Sequence, residues 1–262
     1  MNKITIVTCT WKRKTVFELC LQNWTSLIPK PEIIVMGSEG DECEQLAKEY
    51  GCRYSKSENR PLGQKWNNAL KAAGHHGMDN GTTHYLIMGS DDLISQKTWE
   101  YFQTVKHDFT GLIDFYFFDT KSTQVCYFKG YTEHMRRRGH AIGAGKLISH
   151  QALLSIGFEG FEPKRESALD FDIDNRLFAQ GFKLNLIKLE QTGGICIDIK
   201  TTDNMHKFRV YPNSIVYPFD VLQKKDSDIW QKITQYVNNN MESKKGKSLG
   251  IKAECKESEK KR

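Results

Sequence analysis

The sequence predicts an α/β protein with a Rossmann-like, mostly parallel central sheet flanked by helices. From residue 3 to residue 88, short apolar runs rich in β-branched residues alternate with segments whose apolar residues recur at helical spacing. Each strand–helix unit is about 30 residues long, as expected for right-handed βαβ crossovers. Strands that alternate with helices in this way favour a parallel sheet.

Four strands and three helices are predicted in the first third of the chain. Each strand is a short apolar run, and each helix repeats apolar residues three or four positions apart, as Val16, Leu19 and Cys20 do. Pro29 and Pro31 separate the first helix from the second strand. The predicted strands are 3–8, 32–37, 52–54 and 85–88, and the predicted helices are 14–27, 41–50 and 63–73.

The middle of the chain is rich in aromatic and β-branched residues, which predicts a small antiparallel subdomain. Its two strands are expected within residues 111–120 and 125–131. A later helix is expected to end before Gly181, because glycine favours the left-handed conformation that caps a helix. The elements predicted after residue 131 are a strand leading into a helix at 147–154, a helix at 169–180, strands at 182–189 and 194–200, and a surface helix at 226–239.

Three segments make up the predicted domain organisation. Residues 1–225 form one α/β domain, residues 226–240 a carboxy-terminal helix, and residues 241–262 a basic tail that is expected to be disordered. Residues 244–262 hold eight Lys and Arg against three Glu, which is a net charge of +5 out of +6 for the whole chain. The rest of the chain is therefore nearly neutral.

Bulk composition excludes several classes of protein. No apolar run approaches the ~20 residues that a membrane-spanning helix needs. The seven cysteines are scattered without a Cys-x-x-Cys pair, which predicts reduced thiols and neither a disulfide framework nor a zinc site. The first residues lack the apolar stretch of a signal peptide. We expect a soluble cytoplasmic protein, in the host cytoplasm if the source is viral.

Polar residues follow three of the predicted strands at the point where each strand ends. Since the carboxyl ends of parallel strands meet at one edge of a sheet, and open α/β sheets bind ligands at that edge, these side chains are candidate ligand contacts. They are Thr8, Thr10 and Arg13 after the first strand, Ser38 and Glu39 after the second, and Gly89-Ser90-Asp91-Asp92 after the fourth.

Two adjacent carboxylates, Asp91 and Asp92, stand out among these residues. Carboxylate oxygens can hold a divalent cation, and the cation can in turn hold a diphosphate. The alternative interpretation is a turn in which an Asp caps the next helix, and the four residues from Gly89 taken alone slightly favour it.

Two predicted helices begin with residues that could contact a ligand. Lys65 lies in the first turn of its helix, where the positive helix end favours phosphate, and Gly63 allows a close backbone approach. Asp170 and Asp172 open the helix at 169–180. The alternative interpretations are an exposed helical lysine and a carboxylate that caps its own helix.

Five motifs in this order resemble those of family 2 glycosyltransferases, which have the GT-A fold. The resemblance covers roughly residues 3–210 and implies the inverting transfer of a sugar from a nucleotide-diphosphate sugar, UDP by default, to an acceptor hydroxyl. It also implies Mn²⁺ or Mg²⁺ as cofactor and an antiparallel subdomain on the acceptor side. The matching segments are 8–13, 36–41, 59–70, 89–92 and 169–177.

The resemblance implies a role for each matched residue. Asp170 matches the catalytic base, and three positions depart from the family pattern: Cys9 replaces a Pro, Gly89 an Asp and Leu169 a Glu. The implied metal ligands are Asp91, Asp92 and His206, and the implied donor contacts are Thr8, Thr10, Arg13, Ser38, Glu39, Lys65, Asn67 and Ser90.

A basic run contains Arg137 and Arg138, which with Asp172 are candidate contacts to the acceptor or the diphosphate. Such a run is more commonly a solvated loop.

The acceptor and the class of activity both have alternatives. The acceptor is a soluble saccharide or protein, or a nucleic acid such as a hydroxylated base in viral DNA, whose phosphates the basic tail and Arg136–Arg138 would contact. Because the carboxylates expected at Gly89 and Leu169 are missing, a nucleotide-sugar-binding module with little activity is the second class. A nucleotidyltransferase is a third choice, but its Gly-rich phosphate loop is absent from the first strand turn.

Overall fold

Two β-sheets with helices packed against them make up the part of the chain that the computed structural model describes, residues 1–38, 41–202, 204 and 207–240. The predicted α/β class is confirmed. The sequence pattern located most of the elements to within a few residues, including the strand at Glu32–Gly37 and the passage from a strand into a helix at Ser149.

The first sheet has seven strands, and the carboxyl ends of its parallel strands carry part of the candidate site. In spatial order they are β10 (Asn185–Ile187), β6 (Phe109–Leu112), β9 (Lys146–Ser149), β4 (His84–Ile87), β1 (Ile4–Cys9), β2 (Glu32–Gly37) and β3 (Arg53–Lys56).

The strand directions in this sheet are mixed. β1 pairs in parallel with β2 and β4, β2 in parallel with β3, and β10 in parallel with β6. β9 runs antiparallel to both β4 and β6. A strand that runs parallel to the strand before it needs a crossover of a dozen or more residues, usually a helix. No helix directly precedes β9, and the chain enters this strand from a loop.

The second sheet has five strands, in the order β12 (Ser214–Pro218), β8 (Gln124–Phe128), β7 (Phe115–Asp119), β11 (Cys196–Lys200) and β5 (Asp92–Ile94). β7 and β8 form the antiparallel pair that the sequence predicts, with Phe117 opposite Cys126. β11 lies parallel to β7 and antiparallel to β5. This last pairing sets Asp198 directly opposite Asp92.

Helices cover the sheets and fill the core with apolar side chains. Among the largest fully buried side chains are Trp24 and Trp99, which belong to two of these helices. The helices are α1 (Lys14–Thr25), α2 (Asp41–Glu49), α3 (Leu62–Asn80), α4 (Gln96–Thr104), α5 (His150–Ser155), α6 (Asp170–Ala179), α7 (Leu189–Thr192), α8 (Val221–Lys225) and a last helix over 227–240.

The last helix lies on the surface and packs one face against the core. Ile229 and Ile233 are fully buried and join the same apolar cluster as Leu222 of α8. Trp230 also stacks on Phe219, with ring centroids 6.2 Å apart. An amphipathic stripe of this kind requires a partner face, and this one lies against the main core.

The predictions on the cysteines, on membrane-spanning helices and on the tail differ in how far the described residues cover them. The six cysteines within the described residues are buried, and none of them forms a disulfide with another. No helix in the described ranges is long and apolar enough to cross a membrane. The predicted disordered tail, 241–262, lies outside the described residues.

The chain crosses from the first sheet to the second directly after β4. β4 ends at Ile87, and β5 begins at Asp92 in the other sheet, so Gly89, Ser90 and Asp91 form the link between the two. Charged side chains placed on this link face the space between the sheets.

Candidate active site

A cavity of about 580 Å³ is lined by residues of both sheets and of α3 and α6. That volume lies within the range of ~300–1,000 Å³ that is usual for small-molecule sites. Carboxylates and cations line it together with aromatic side chains. The charged lining residues are Asp91, Asp92, Asp170 and Asp198, and Arg13, Arg137, Lys146, Lys200 and Arg209.

Asp91, Asp92 and Asp198 form a carboxylate cluster in which one oxygen of each side chain lies within 4.8 Å of the others. The backbone N–H of Gly89 donates to Asp92 Oδ2 at 2.6 Å and fixes that carboxylate. A Cβ added at Gly89 would lie 2.6 Å from the same oxygen. A side chain at this position would therefore require the carboxylates of Asp92 and Asp91 to shift.

Burial and mutual repulsion act on the acids of this cluster. Burial, the charge of Asp198 and that of Asp91 raise the pKa of Asp92 well above its usual range. Burial and the charge of Asp91 raise the pKa of Asp198 to about 7. A divalent cation would relieve both penalties, and oxygen-only ligands of this kind suit Mg²⁺ or Mn²⁺. The donor set therefore fits the implied cofactor.

Asp91 is held in place by three contacts. Its Oδ2 accepts hydrogen bonds from Arg13 Nη1 at 2.5 Å and from Asn204 Nδ2 at 2.6 Å. Its backbone carbonyl accepts from the N–H of Ile199 at 2.8 Å, which ties the link between the sheets to β11. Arg13 Nη2 also donates to Ser90 Oγ at 2.9 Å. Three residues predicted from the sequence, Arg13, Ser90 and Asp91, thus lie together.

Asp170 lies at the start of α6 and points its carboxylate at Arg137. Arg137 Nη1 donates to Asp170 Oδ2 at 2.6 Å and also to Tyr131 Oη at 3.2 Å. The helix cap is Leu169, which makes no side-chain capping bond, so the interpretation of Asp170 as an N-cap carboxylate is wrong. Lys146 donates to the Asp170 carbonyl at 2.5 Å and pairs with the buried Asp174. Asp170 is therefore held by Arg137 through its carboxylate and by Lys146 of β9 through its backbone carbonyl.

The polar side chains at the amino-terminal end of α3 contact protein groups. The ammonium of Lys65, whose side chain is fully buried, donates to the Thr10 carbonyl at 2.6 Å and to Asn59 Oδ1 at 3.2 Å. Asn67 exchanges two hydrogen bonds of 2.9 Å with the backbone of Phe161. Neither side chain lines the cavity. In the structure Lys65 and Asn67 hold protein loops in place, and their contacts to a donor stay predictions.

Gly63 serves the same structural purpose. A Cβ at this position would lie 2.0 Å from the carbonyl oxygen of Glu162, so the close approach that glycine permits is to this loop. The Gly63 N–H donates to the Arg165 carbonyl at 2.8 Å. Asp172 holds the same loop through Arg165 Nη1 at 2.6 Å and the Glu162 N–H at 3.1 Å, away from the cavity lining.

Three hydroxyls predicted to contact the donor are buried at the ends of β1 and β2. Thr8 Oγ1, Thr10 Oγ1 and Ser38 Oγ have no hydrogen-bond partner among the described residues. Glu39 and His206 lie outside the described residues. Arg138 is exposed and does not line the cavity. These positions stay predictions.

Sequence reasoning missed Asp198, Lys200 and Asn204. Asp198 and Lys200 point to the same face of β11, form an ion pair and both line the cavity. Two opposite charges two positions apart in a short, otherwise apolar strand are a usable signal, because charged residues are rarely buried unless paired. The sequence around Asn204 gives no comparable signal, because its contact with Asp91 joins residues that are 113 positions apart.

The chain shares its fold with solved structures of S. aureus TarS. TarS 1-349 superposes with a TM-score of 0.53 at 15% identity, covering 71% of this chain and 58% of that one. Its complex with UDP-GlcNAc gives a TM-score of 0.52 at 15% identity, over 77% and 60%. Its complex with UDP gives 0.51 at 13% identity, over 76% and 61%. The chain thus spans about three fifths of these solved chains.

No protein-family model and no curated protein sequence matches the chain.

Proposed function

We propose that the chain is a glycosyltransferase of the GT-A type that moves a sugar from a nucleotide-diphosphate sugar, UDP-sugar by default, to an acceptor hydroxyl with inversion. One observation carries the proposal: the carboxylates of Asp91, Asp92 and Asp170 line one cavity between the two sheets. A candidate cation site and a candidate base thus border the same space, as group transfer from a diphosphate requires.

The shared fold supports the donor part of the proposal. TarS, which has the same fold at low identity, was solved with UDP-GlcNAc and with UDP. The hydroxyls of Thr8, Thr10 and Ser38 are buried and have no partner among the described residues. They lie at the ends of β1 and β2, where an open α/β sheet binds nucleotides. We place the nucleotide at that edge and keep Glu39 as a predicted contact.

Asp91 and Asp92 would hold Mn²⁺ or Mg²⁺, with His206 as a further candidate ligand. When bound, the cation supplies neutralisation of the charge that develops on the leaving nucleotide diphosphate. Arg13 holds Asp91 in position, and its guanidinium and the ammonium of Lys200 border the cavity as fixed positive charges. Both favour an anionic donor in this space.

Asp170 would accept the proton of the acceptor hydroxyl as that oxygen attacks the anomeric carbon. Its carboxylate already borders the cavity, but Arg137 occupies one of its oxygens. The guanidinium has to turn away, or an anionic group has to draw it off, before Oδ2 receives a proton. Arg137 is therefore a candidate contact to the acceptor or the diphosphate.

Aromatic side chains of the second sheet and of the loops beside it would supply a wall for the acceptor. Phe117 packs on Tyr211 and Phe128 on Tyr131, each pair with ring centroids 5.1 Å apart, and all four line the cavity. Flat ring faces suit a sugar or another ring. The nucleic-acid option receives no support from the comparisons, so a saccharide is the acceptor class that we propose first.

A donor panel tests the proposal. UDP-, GDP-, CDP- and TDP-sugars are incubated with the protein in Mn²⁺, Mg²⁺ or EDTA, and both thermal shift and release of nucleoside diphosphate are measured. We expect one nucleotide class to stabilise the fold by about 2.7 kcal/mol at about 100 times its dissociation constant. We also expect nucleoside diphosphate to be released from that donor only when metal is present. Stabilisation without release would identify a nucleotide-sugar-binding module, and neither effect with any donor would overturn the proposal.

A further inference from the structure

We infer that Asp198 is a ligand of the divalent cation and completes a site of three carboxylates with Asp91 and Asp92. This inference rests on the proposed function, since it assigns a residue to the cation of that same site. Two observations carry it: the position of Asp198 across from Asp92, and a buried oxygen of Asp198 that nothing in the described chain satisfies.

The pairing of β5 and β11 creates the geometry. Asp92 and Asp198 are directly opposite each other in an antiparallel register, where side chains of facing residues project from the same side of the sheet. Together with Asp91 they offer three oxygens within 4.8 Å of one another. Because Mg²⁺ binds oxygen at ~2.0–2.1 Å, small side-chain rotations would bring oxygens this close together within reach of one ion.

The unsatisfied oxygen distinguishes Asp198 from an ordinary paired acid. Its Oδ2 accepts a hydrogen bond from Lys200 Nζ. Its Oδ1 is buried and has no partner among the described residues. A buried acceptor left without a donor or water costs roughly 1–3 kcal/mol, and native structures rarely keep one without a reason. A bound cation would satisfy this oxygen.

The charge balance of the cluster leaves room for a cation. Two cations, Arg13 and Lys200, face three carboxylates, and Arg13 is engaged with Asp91 at 2.5 Å. Lys200 contacts Asp198, and among the described residues the carboxylate of Asp92 accepts a hydrogen bond only from the Gly89 N–H. The cluster therefore holds one more carboxylate than it has neighbouring cations.

Direct measurement of Mn²⁺ binding tests the inference. Free Mn²⁺ is followed by electron paramagnetic resonance while wild type, Asp198→Asn and Asp91→Asn are titrated, with and without UDP. Loss of even an outer contact of a metal site typically weakens binding about 10–100-fold, so we expect Asp198→Asn to weaken it at least about tenfold. Asp114→Asn is the matched control, because Asp114 is also buried but contacts Tyr127 and Leu189 outside the cluster.

The outcomes separate this inference from the proposed function. Wild-type Mn²⁺ affinity in a folded Asp198→Asn variant overturns the inference, as does wild type that binds no Mn²⁺ with or without UDP. If wild type then still transfers sugar in EDTA, glycosyl transfer stands without this site. If Mn²⁺ binding depends on Asp198 but no donor is turned over, the inference stands and the proposed function fails.

Asp198→Cys guards against a variant that loses binding through misfolding. A thiolate prefers a softer ion, so the ratio of Cd²⁺ to Mn²⁺ affinity should rise above that of wild type if residue 198 is a ligand. An unchanged ratio in a folded variant contradicts the assignment.

Discussion

The start of α3 and the link after β4 differ in what their charged groups face. Lys65 is fully buried, and its ammonium contacts the Thr10 carbonyl and Asn59. Asp91 borders the cavity and has Asp92 and Asp198 as neighbours of the same charge. The first arrangement has its polar groups satisfied by protein, and the second leaves repulsion that a ligand would relieve. Burial alone does not distinguish a charged group that holds the fold from one that could bind a ligand. The signs of the neighbouring charges and the hydrogen-bond partners do.

The largest effect should come from Asp170→Asn. If this carboxylate takes the acceptor proton, its loss should reduce turnover about 10²–10⁴-fold while the donor still binds. Transfer rate and donor thermal shift are measured together. Asp228→Asn, an exposed acid of the last helix, is the control and should leave both unchanged. Near-normal turnover of Asp170→Asn would assign the base elsewhere.

Lys65→Met should produce the opposite pattern to Asp170→Asn. The change removes a buried donor from the Thr10 carbonyl and Asn59 Oδ1, so the free energy of unfolding should fall by about 1–3 kcal/mol. Urea unfolding measures it, and nucleotide affinity of the folded variant should stay within a few-fold of wild type. A large loss of affinity at unchanged stability would place Lys65 on the phosphate after all.

One substitution made in both regions sharpens the contrast. A Cβ at Gly63 would meet backbone, the Glu162 carbonyl, at 2.0 Å, and a Cβ at Gly89 would meet side-chain oxygens of Asp92 and Asp91. Gly63→Ala should therefore destabilise the fold by about 1–3 kcal/mol, the usual range for overpacking. Gly89→Ala should cost less stability, because side chains turn more easily than backbone, but it should weaken Mn²⁺ binding. The reverse pattern would contradict the comparison.

The smallest effect is expected at Arg138. Its side chain is exposed, so Arg138→Ala should change stability by less than about 0.5 kcal/mol and leave turnover unchanged. Arg137→Ala, one position earlier, frees the carboxylate of Asp170 and should alter turnover. Equal effects of the two changes would show that the basic run acts through its total charge and not through the contact between Arg137 and Asp170.

Local patterns in the sequence predict much of the fold and part of the site. Strand and helix periodicity located α1, β2 and α6 because each depends on its own residues, and motif order brought Arg13, Ser90 and Asp91 together correctly.

Features that depend on distant partners escaped prediction. The three-residue strand β5 exists through its pairing with β11, and the antiparallel direction of β9 depends on β4 and β6. The burial of Lys65 depends on the Thr10 carbonyl, 55 positions away. Asp198 joins the cluster only through strand register, which no local pattern encodes.

The pairing that builds the carboxylate cluster also sets when the site comes into being during folding. Asp91 and its partner Asn204 are 113 positions apart, and Asp92 meets Asp198 only across β5 and β11. Contacts between such distant positions form late, because the loop between them must close first. A chain in which only the first sheet has assembled would present Asp91 and Asp92 without β11. Cation binding would then report completion of the second sheet, and metal-dependent stability would serve as a measure of correct folding.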